Sequence, residues 1–183
     1  MDYKQLFFIL ALGFLIPSLI IPWASSDFIG ESHSYTPLKI TKGLLVEDKS
    51  NSVFNLVKLI KPYKMSYYAM ILSMTLYFSS FYLLYRAHDK KSDKLLIFAA
   101  VFILLSVGLY TFSIENYKSG FSSIANQTGG IIGEEFRGDE RSVINNIIKY
   151  GDGHKIALIA GIFSLLSYLR NPENHTPCPK CTL

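Results

Sequence analysis

Four blocks of apolar sequence constrain this chain more than any other feature. A helix needs roughly 20 mostly apolar residues to cross the hydrocarbon core of a bilayer. The blocks run over about 6–24 (LFFILALGFLIPSLIIPWA), 67–85 (YYAMILSMTLYFSSFYLLY), 95–114 (LLIFAAVFILLSVGLYTFSI) and 154–170. The last has its apolar part at Ile156–Leu169 and needs His154 and Lys155 at its edge, with Lys155 snorkelling. The first three contain no Asp, Glu, Lys, Arg or His. Pumps and ion-coupled transporters place such groups at mid-depth, so those classes are disfavoured. Charged residues are only 17% of the 183 positions and mean hydropathy is +0.27, which excludes a disordered chain or a strongly basic nucleic-acid binder. The reading is an all-α transmembrane four-helix bundle, its membrane domain covering 1–171 and a cytoplasmic tail 172–183.

The first block resembles a signal peptide in its short charged start. Its apolar run is long for one, and Pro22-Trp23-Ala24 is a poor cleavage site, so it reads as a retained anchor. Trp23, Tyr67, Tyr68 and Tyr85 stand at block edges, as interfacial aromatic belts do. Arg86–Lys94 (RAHDKKSDK) is a tight basic hairpin between the second and third blocks. Its four cations, with Lys4, Arg170 and Lys180, place both termini and the hairpin in the cytoplasm of a plasma-membrane protein. Lys58, Lys61 and Lys64 oppose that orientation.

The loop after the first block holds runs of β-branched and apolar residues at Ser34–Val46, broken by Pro37 and Gly43, and is read as short strands. Val53–Ile60 has helical spacing and reads as an interfacial helix ended by Pro62. The last part of the other long loop, Ser142–Tyr150, can be helical. The fold is therefore a four-helix bundle with a small extracellular β element in the first loop.

This arrangement resembles the claudin/PMP22-like tetraspan superfamily. Ile21-Pro22-Trp23 closes the first block, and Phe28-Ile29-Gly30 follows. Gly43-Leu44-Leu45 stands where that family has Gly-Leu-Trp, and Tyr150-Gly151 precedes the last block as in that family. The family's two loop cysteines are absent, so its disulfide cannot form here. The resemblance implies membrane contact, a paracellular barrier or pore, or an auxiliary channel subunit. It also implies a loop sheet held by packing on Trp23, Gly43, Leu44 and Leu45 instead of a disulfide. The alternative is an accessory subunit of an unrelated multi-subunit membrane complex, bacterial or archaeal.

Other motifs carry weaker chemistry. Asn126-Gln127-Thr128 is a glycosylation sequon in an expected external loop; Asn174-His175-Thr176 is a second, in the expected cytoplasmic tail. Cys178-Pro179-Lys180-Cys181 has the spacing of one zinc knuckle but lacks a second pair. Free thiols, acylation of Cys178 and Cys181, and a shared metal all remain open for it. Arg137-Gly138-Asp139 lies in a charged segment best read as solvated. Ala157, Ala160, Gly161 and Ser164 are small residues at helical spacing, suited to packing inside the bundle or against a partner subunit. Neither a catalytic motif nor a metal or phosphate loop is present, so the expectation is a non-enzymatic protein without cofactor. Its expected partners are the lipid bilayer and other membrane subunits or further copies of itself, and no nucleic acid.

Overall fold

The computed structural model describes residues 3–28, 31–45, 60–90, 92–128 and 148–169. Among the described residues the chain is mostly helical, with one small sheet. The elements are α1 (Tyr3–Ile20), β1 (Ala24–Phe28), β2 (Glu31–Tyr35) and α2 (Pro37–Leu45), then α3 (Lys64–Asp89), α4 (Asp93–Thr128), β3 (Lys149–Tyr150) and α5 (Asp152–Leu169). Two helical stretches, Lys64–Asp89 and Asp93–Gly120, are long and apolar enough to cross a membrane. Gln5–Ile20 is apolar but shorter, and α5 opens on Asp152, His154 and Lys155.

α3 and α4 form an antiparallel hairpin. Tyr63, just before α3, and positions 66, 70, 73, 77, 80, 84 and 87 of α3 face inward; in α4, positions 96, 99, 103, 106, 110, 113, 117 and 120 do so. Both sets step by three and four, the 3.5-residue period of a left-handed coiled coil. Every second position is small: Ser66, Ser73, Ser80 and Ala87 on the first arm, and Ala99, Ser106, Ser113 and Gly120 on the second. The others are large: Tyr63, Met70, Tyr77 and Leu84, with Leu96, Ile103, Tyr110 and Tyr117. Small residues let the backbones approach, and hydroxyls then reach across. Ser73 donates to the Ser106 carbonyl at 2.8 Å, Ser113 to the Ser66 carbonyl at 2.7 Å, and Asn116 Nδ2 to Ser66 Oγ at 2.8 Å. Each such bond contributes about 0.6 kcal/mol between helices in lipid. At the far end of the hairpin the Tyr63 and Tyr117 rings meet edge to face at 5.1 Å. A Cβ on Gly120 would stand 2.6 Å from the Tyr63 ring.

α5 packs on α4 and α1, and side chains of α1 reach α3 at two points. Phe8 stacks on His88 at 5.2 Å, and Ser18 bonds Tyr77. Phe163 of α5 sits between Phe7 and Phe14 of α1. α4 is the longest helix. At 1.5 Å per residue its 36 residues span about 54 Å, well beyond the hydrocarbon thickness.

Several expectations from the sequence need correction. The strands lie mostly before Ser34–Val46 and overlap it only at Ser34 and Tyr35: β1 pairs antiparallel with β2, from Ala24 with Tyr35 to Phe28 with Glu31. Residues 37–45 instead form α2. Thr36 caps it, accepting the Lys39 N–H on Oγ1 at 3.3 Å and the Ile40 N–H on its carbonyl at 2.9 Å. Pro37 takes the first helical position, where its fixed φ suits a helix start. Lys149 and Tyr150, expected as part of a helix, form β3 and pair with Ser25 and Ala24 on the other side of β1. The sheet order is thus β2-β1-β3. α1 stops at Ile20 because Pro22 cannot continue it. The expected helix over 53–60 lies outside the described residues except for Ile60, which is buried.

Candidate functional site: the Trp23 joint

The end of α1, the sheet and the start of α5 meet at one residue, Trp23. The reason begins with proline chemistry. In a continuing helix the Ser18 carbonyl would accept from residue 22, but Pro22 has no N–H. The Trp23 indole N–H takes that place, donating to the Ser18 carbonyl at 2.9 Å. The indole is thereby drawn back into the bundle and is fully buried. Trp23 was expected at a membrane interface; the orphaned carbonyl draws it inward instead.

Two tyrosines hold the indole by edge-to-face contact, Tyr77 at 4.9 Å and Tyr110 at 5.0 Å. This geometry brings positive ring edges to negative ring faces and adds about 0.5–1.5 kcal/mol per pair beyond burial. The Tyr77 hydroxyl also bonds Ser18 Oγ, which donates to the Leu15 carbonyl at 2.6 Å.

The backbone of this segment is bound on both sides. The Trp23 N–H donates to the Tyr35 carbonyl at 2.9 Å. Its carbonyl accepts from Gly151 at 2.9 Å, and the Pro22 carbonyl accepts from Gly153 at 3.0 Å. The approach is too close for side chains. A Cβ on Gly151 would lie 2.1 Å from the Pro22 oxygen. On Gly153 it would lie 2.3 Å from the Ile21 oxygen and 2.6 Å from Trp23 Cδ1.

Around this joint lies a polar collar. The Tyr150 hydroxyl donates to Glu115 Oε1 at 2.7 Å, and Lys118 Nζ lies 4.8 Å from the centre of the Tyr150 ring. Burial, then the bond to Glu115 and its negative charge, push the Tyr150 hydroxyl well above its ordinary pKa. Burial also raises Tyr35, partly offset by its 3.1 Å bond with Ser26. The Lys155 ammonium, 2.9 Å from Asp152, holds that carboxyl below the usual carboxylate range. His154 Nδ1 is 2.6 Å from the Gly151 carbonyl. Among the described residues no group of three or more His, Cys, Asp or Glu could hold a metal ion. The arrangement is suited to fixing three segments in one geometry.

Of the other residues singled out in the sequence, Gly43 and Leu44 are half-buried in α2. Leu45, expected to pack under the sheet, is 79% exposed because it falls on the outer side of that helix. Asn126 is in the last turn of α4, not in a loop. Ala157, Ala160, Gly161 and Ser164 are all buried inside the bundle. A Cβ on Gly161 would come within 2.9 Å of Leu104, so this stripe packs against α4. Cys178, Cys181, Asn174 and the Arg137–Asp139 motif lie outside the described residues. Sequence reasoning missed Ser18, Tyr77 and Tyr110; the seven-residue spacing of Met70, Tyr77 and Leu84 was the available signal for Tyr77.

No protein-family profile, curated protein or solved structure matches this chain.

Proposed function

We propose that this chain is a four-span integral membrane protein that works through contact and assembly, without catalysis. The observation that carries the membrane reading is inverted polarity. Fully buried side chains include Ser18, Ser66, Ser73, Ser80, Ser106, Ser113 and Ser164. Large exposed ones include Ile9 and Ile16 on α1, Leu72 on α3, Phe98 and Leu105 on α4, and Ile162 on α5. Large apolar side chains turned outward on all four long helices are what a lipid-facing bundle requires. In lipid the same pattern is favourable, since tails solvate the outside while Ser18, Ser66, Ser73 and Ser113 hydrogen-bond to neighbouring helices. In this reading α1 and α5 are the second pair of spans, and the basic residues of the α3–α4 hairpin face the cytoplasm with both termini.

Within that class the reading is a claudin-like tetraspan acting in membrane contact or barrier formation, or as an auxiliary subunit of a channel. Its support is the Trp23 joint. The two segments that carry the resemblance, Pro22-Trp23 and Tyr150-Gly151, are hydrogen-bonded neighbours. The strand leaving the first helix also pairs with the strand leading into the last. A second reading, an accessory subunit of an unrelated membrane complex, draws support from the helix at Gly43-Leu44-Leu45, from exposed Leu45 and from the missing loop cysteines.

Purification from the native membrane in mild detergent, with sizing and mass spectrometry of co-eluting proteins, tests both. A larger partner at fixed ratio is expected of an accessory or auxiliary subunit. Elution as a homo-oligomer is expected of a contact protein. Recovery in the aqueous fraction without detergent would contradict both.

A further inference from the structure

We propose that α2 is an interfacial helix that seats Leu38 and Leu45 in the acyl boundary of the adjacent leaflet and holds Lys42 at the lipid phosphates. This rests on the membrane reading above and adds a lipid contact to it.

The two faces of α2 differ sharply. Pro37 and Ile40 are buried, and Leu44 packs against the core. Leu38 is 54% exposed and Leu45 79%. Seven residues are two turns less about 20°, so the two leucines share one stripe. Lys42, four residues after Leu38, lies on the same side about 40° round, with a long stem that can carry its ammonium past the leucines. A nine-residue helix is also too short to be stable alone, so its surroundings must hold it.

Its position supplies the occupant. α2 packs against α1 and α3. Those helices expose Ile20 and Met65 where the first ends and the second begins. Exposed apolar side chains on α2 thus accompany others at the ends of the helices it packs against. The charges fit a phosphate layer beside it. Lys39 Nζ is held by the Ser34 carbonyl at 3.2 Å and Ser34 Oγ at 3.5 Å. Lys42 and Lys64 are exposed, and α2 contains no acid. Apolar residues on one side with lysines beside them are the pattern of helices lying in the plane of an anionic interface.

The test uses the full chain with Cys178→Ser and Cys181→Ser, reconstituted in phosphatidylcholine vesicles with and without phosphatidylglycerol. An environment-sensitive fluorophore is attached in turn at Leu38→Cys, Leu45→Cys, Lys42→Cys and Ile162→Cys. Doxyl-labelled lipids act as depth-resolved quenchers. The expected result is blue-shifted emission and shallow quenching at positions 38 and 45, emission close to that in water at 42, and deep quenching at 162. Phosphatidylglycerol should strengthen quenching at 45, and Lys42→Gln with Lys64→Gln should remove that gain. Quenching at 162 with water-like emission at 38 and 45 would overturn this inference and leave the membrane reading standing. Blue-shifted but unquenched probes at 38 and 45 would mean that protein covers them, and would also overturn it. Absence of quenching at 162 would sink the membrane reading itself and this inference with it.

Discussion

The carbonyl oxygen of Pro22 stands 2.1 Å from the point a Cβ on Gly151 would occupy. The chain leaving the first helix and the chain approaching the last therefore touch backbone to backbone. Gly151→Ala must push two backbones apart and break the Gly151–Trp23 and Gly153–Pro22 hydrogen bonds. The expected cost is about 3 kcal/mol, from strain and two weakened buried bonds. Gly108→Ala is the control, since nothing lies within 4 Å of its Cβ site. It should be neutral or stabilising by up to about 1 kcal/mol. Thermal unfolding in one detergent compares the two; equal behaviour would contradict the close approach.

Trp23 has two separable roles, ring packing and carbonyl capping. Trp23→Phe keeps a ring between Tyr77 and Tyr110 but leaves the Ser18 carbonyl without its donor. It should cost about 1–3 kcal/mol. Trp23→Ala also leaves a cavity, at about 3–5 kcal/mol, and should lower the amount of protein reaching the cell surface. Normal trafficking and unchanged melting of Trp23→Ala would remove the joint from its central place.

The serine seam predicts an asymmetry of size. Ser73→Ala loses one interhelix bond, about 0.6 kcal/mol. Ser73→Leu forces α3 away from α4 and should cost about 1–3 kcal/mol through overpacking. A leucine there that stabilised the hairpin, measured by unfolding in mixed detergent, would mean the helices are not closely apposed.

Tyr150 gives a pH dependence. Its folded pKa is raised above the ordinary 10.0 by burial and by Glu115. Its contribution to stability is therefore fully present below pH 10 and is lost as pH rises from there through the folded value. Tyr150→Phe should flatten that alkaline fall. A spectrophotometric titration should show fewer late-ionising phenols in the variant than in the parent; identical titrations would contradict the placement.

The four apolar blocks in the sequence correspond to the four long helices because helices built of such residues need little beyond their own composition. Their limits were less legible. The third block ends at Ile114, yet α4 continues to Thr128, since no proline interrupts Glu115–Thr128 and the Tyr63 ring packs against Gly120. The hairpin seam was present in plain spacing at Ser66, Ser73 and Ser80, but averaging hydropathy over a block hides a period of seven. Thr36-Pro37 is a helix-start signal, which β-branched neighbours at Ile40 and Thr41 masked. The strands were harder to see. Ser25, Ser26, Ser32 and Ser34 have weak strand preference, and the other partner of β1, Lys149–Tyr150, lies far along the chain. The joint was half legible: Pro22-Trp23 and Tyr150-Gly151 could each be singled out, but no local pattern links them.

The most direct measurement is labelling of single cysteines in sealed membrane vesicles of known orientation. Lys90→Cys at the hairpin and Asp152→Cys at the start of α5 are introduced in turn, with Cys178 and Cys181 replaced by Ser. In vesicles with their outer face exposed, an impermeant maleimide should react at position 152 at once and at position 90 only after permeabilisation. Equal reaction at both positions before permeabilisation would contradict a bundle that spans the membrane.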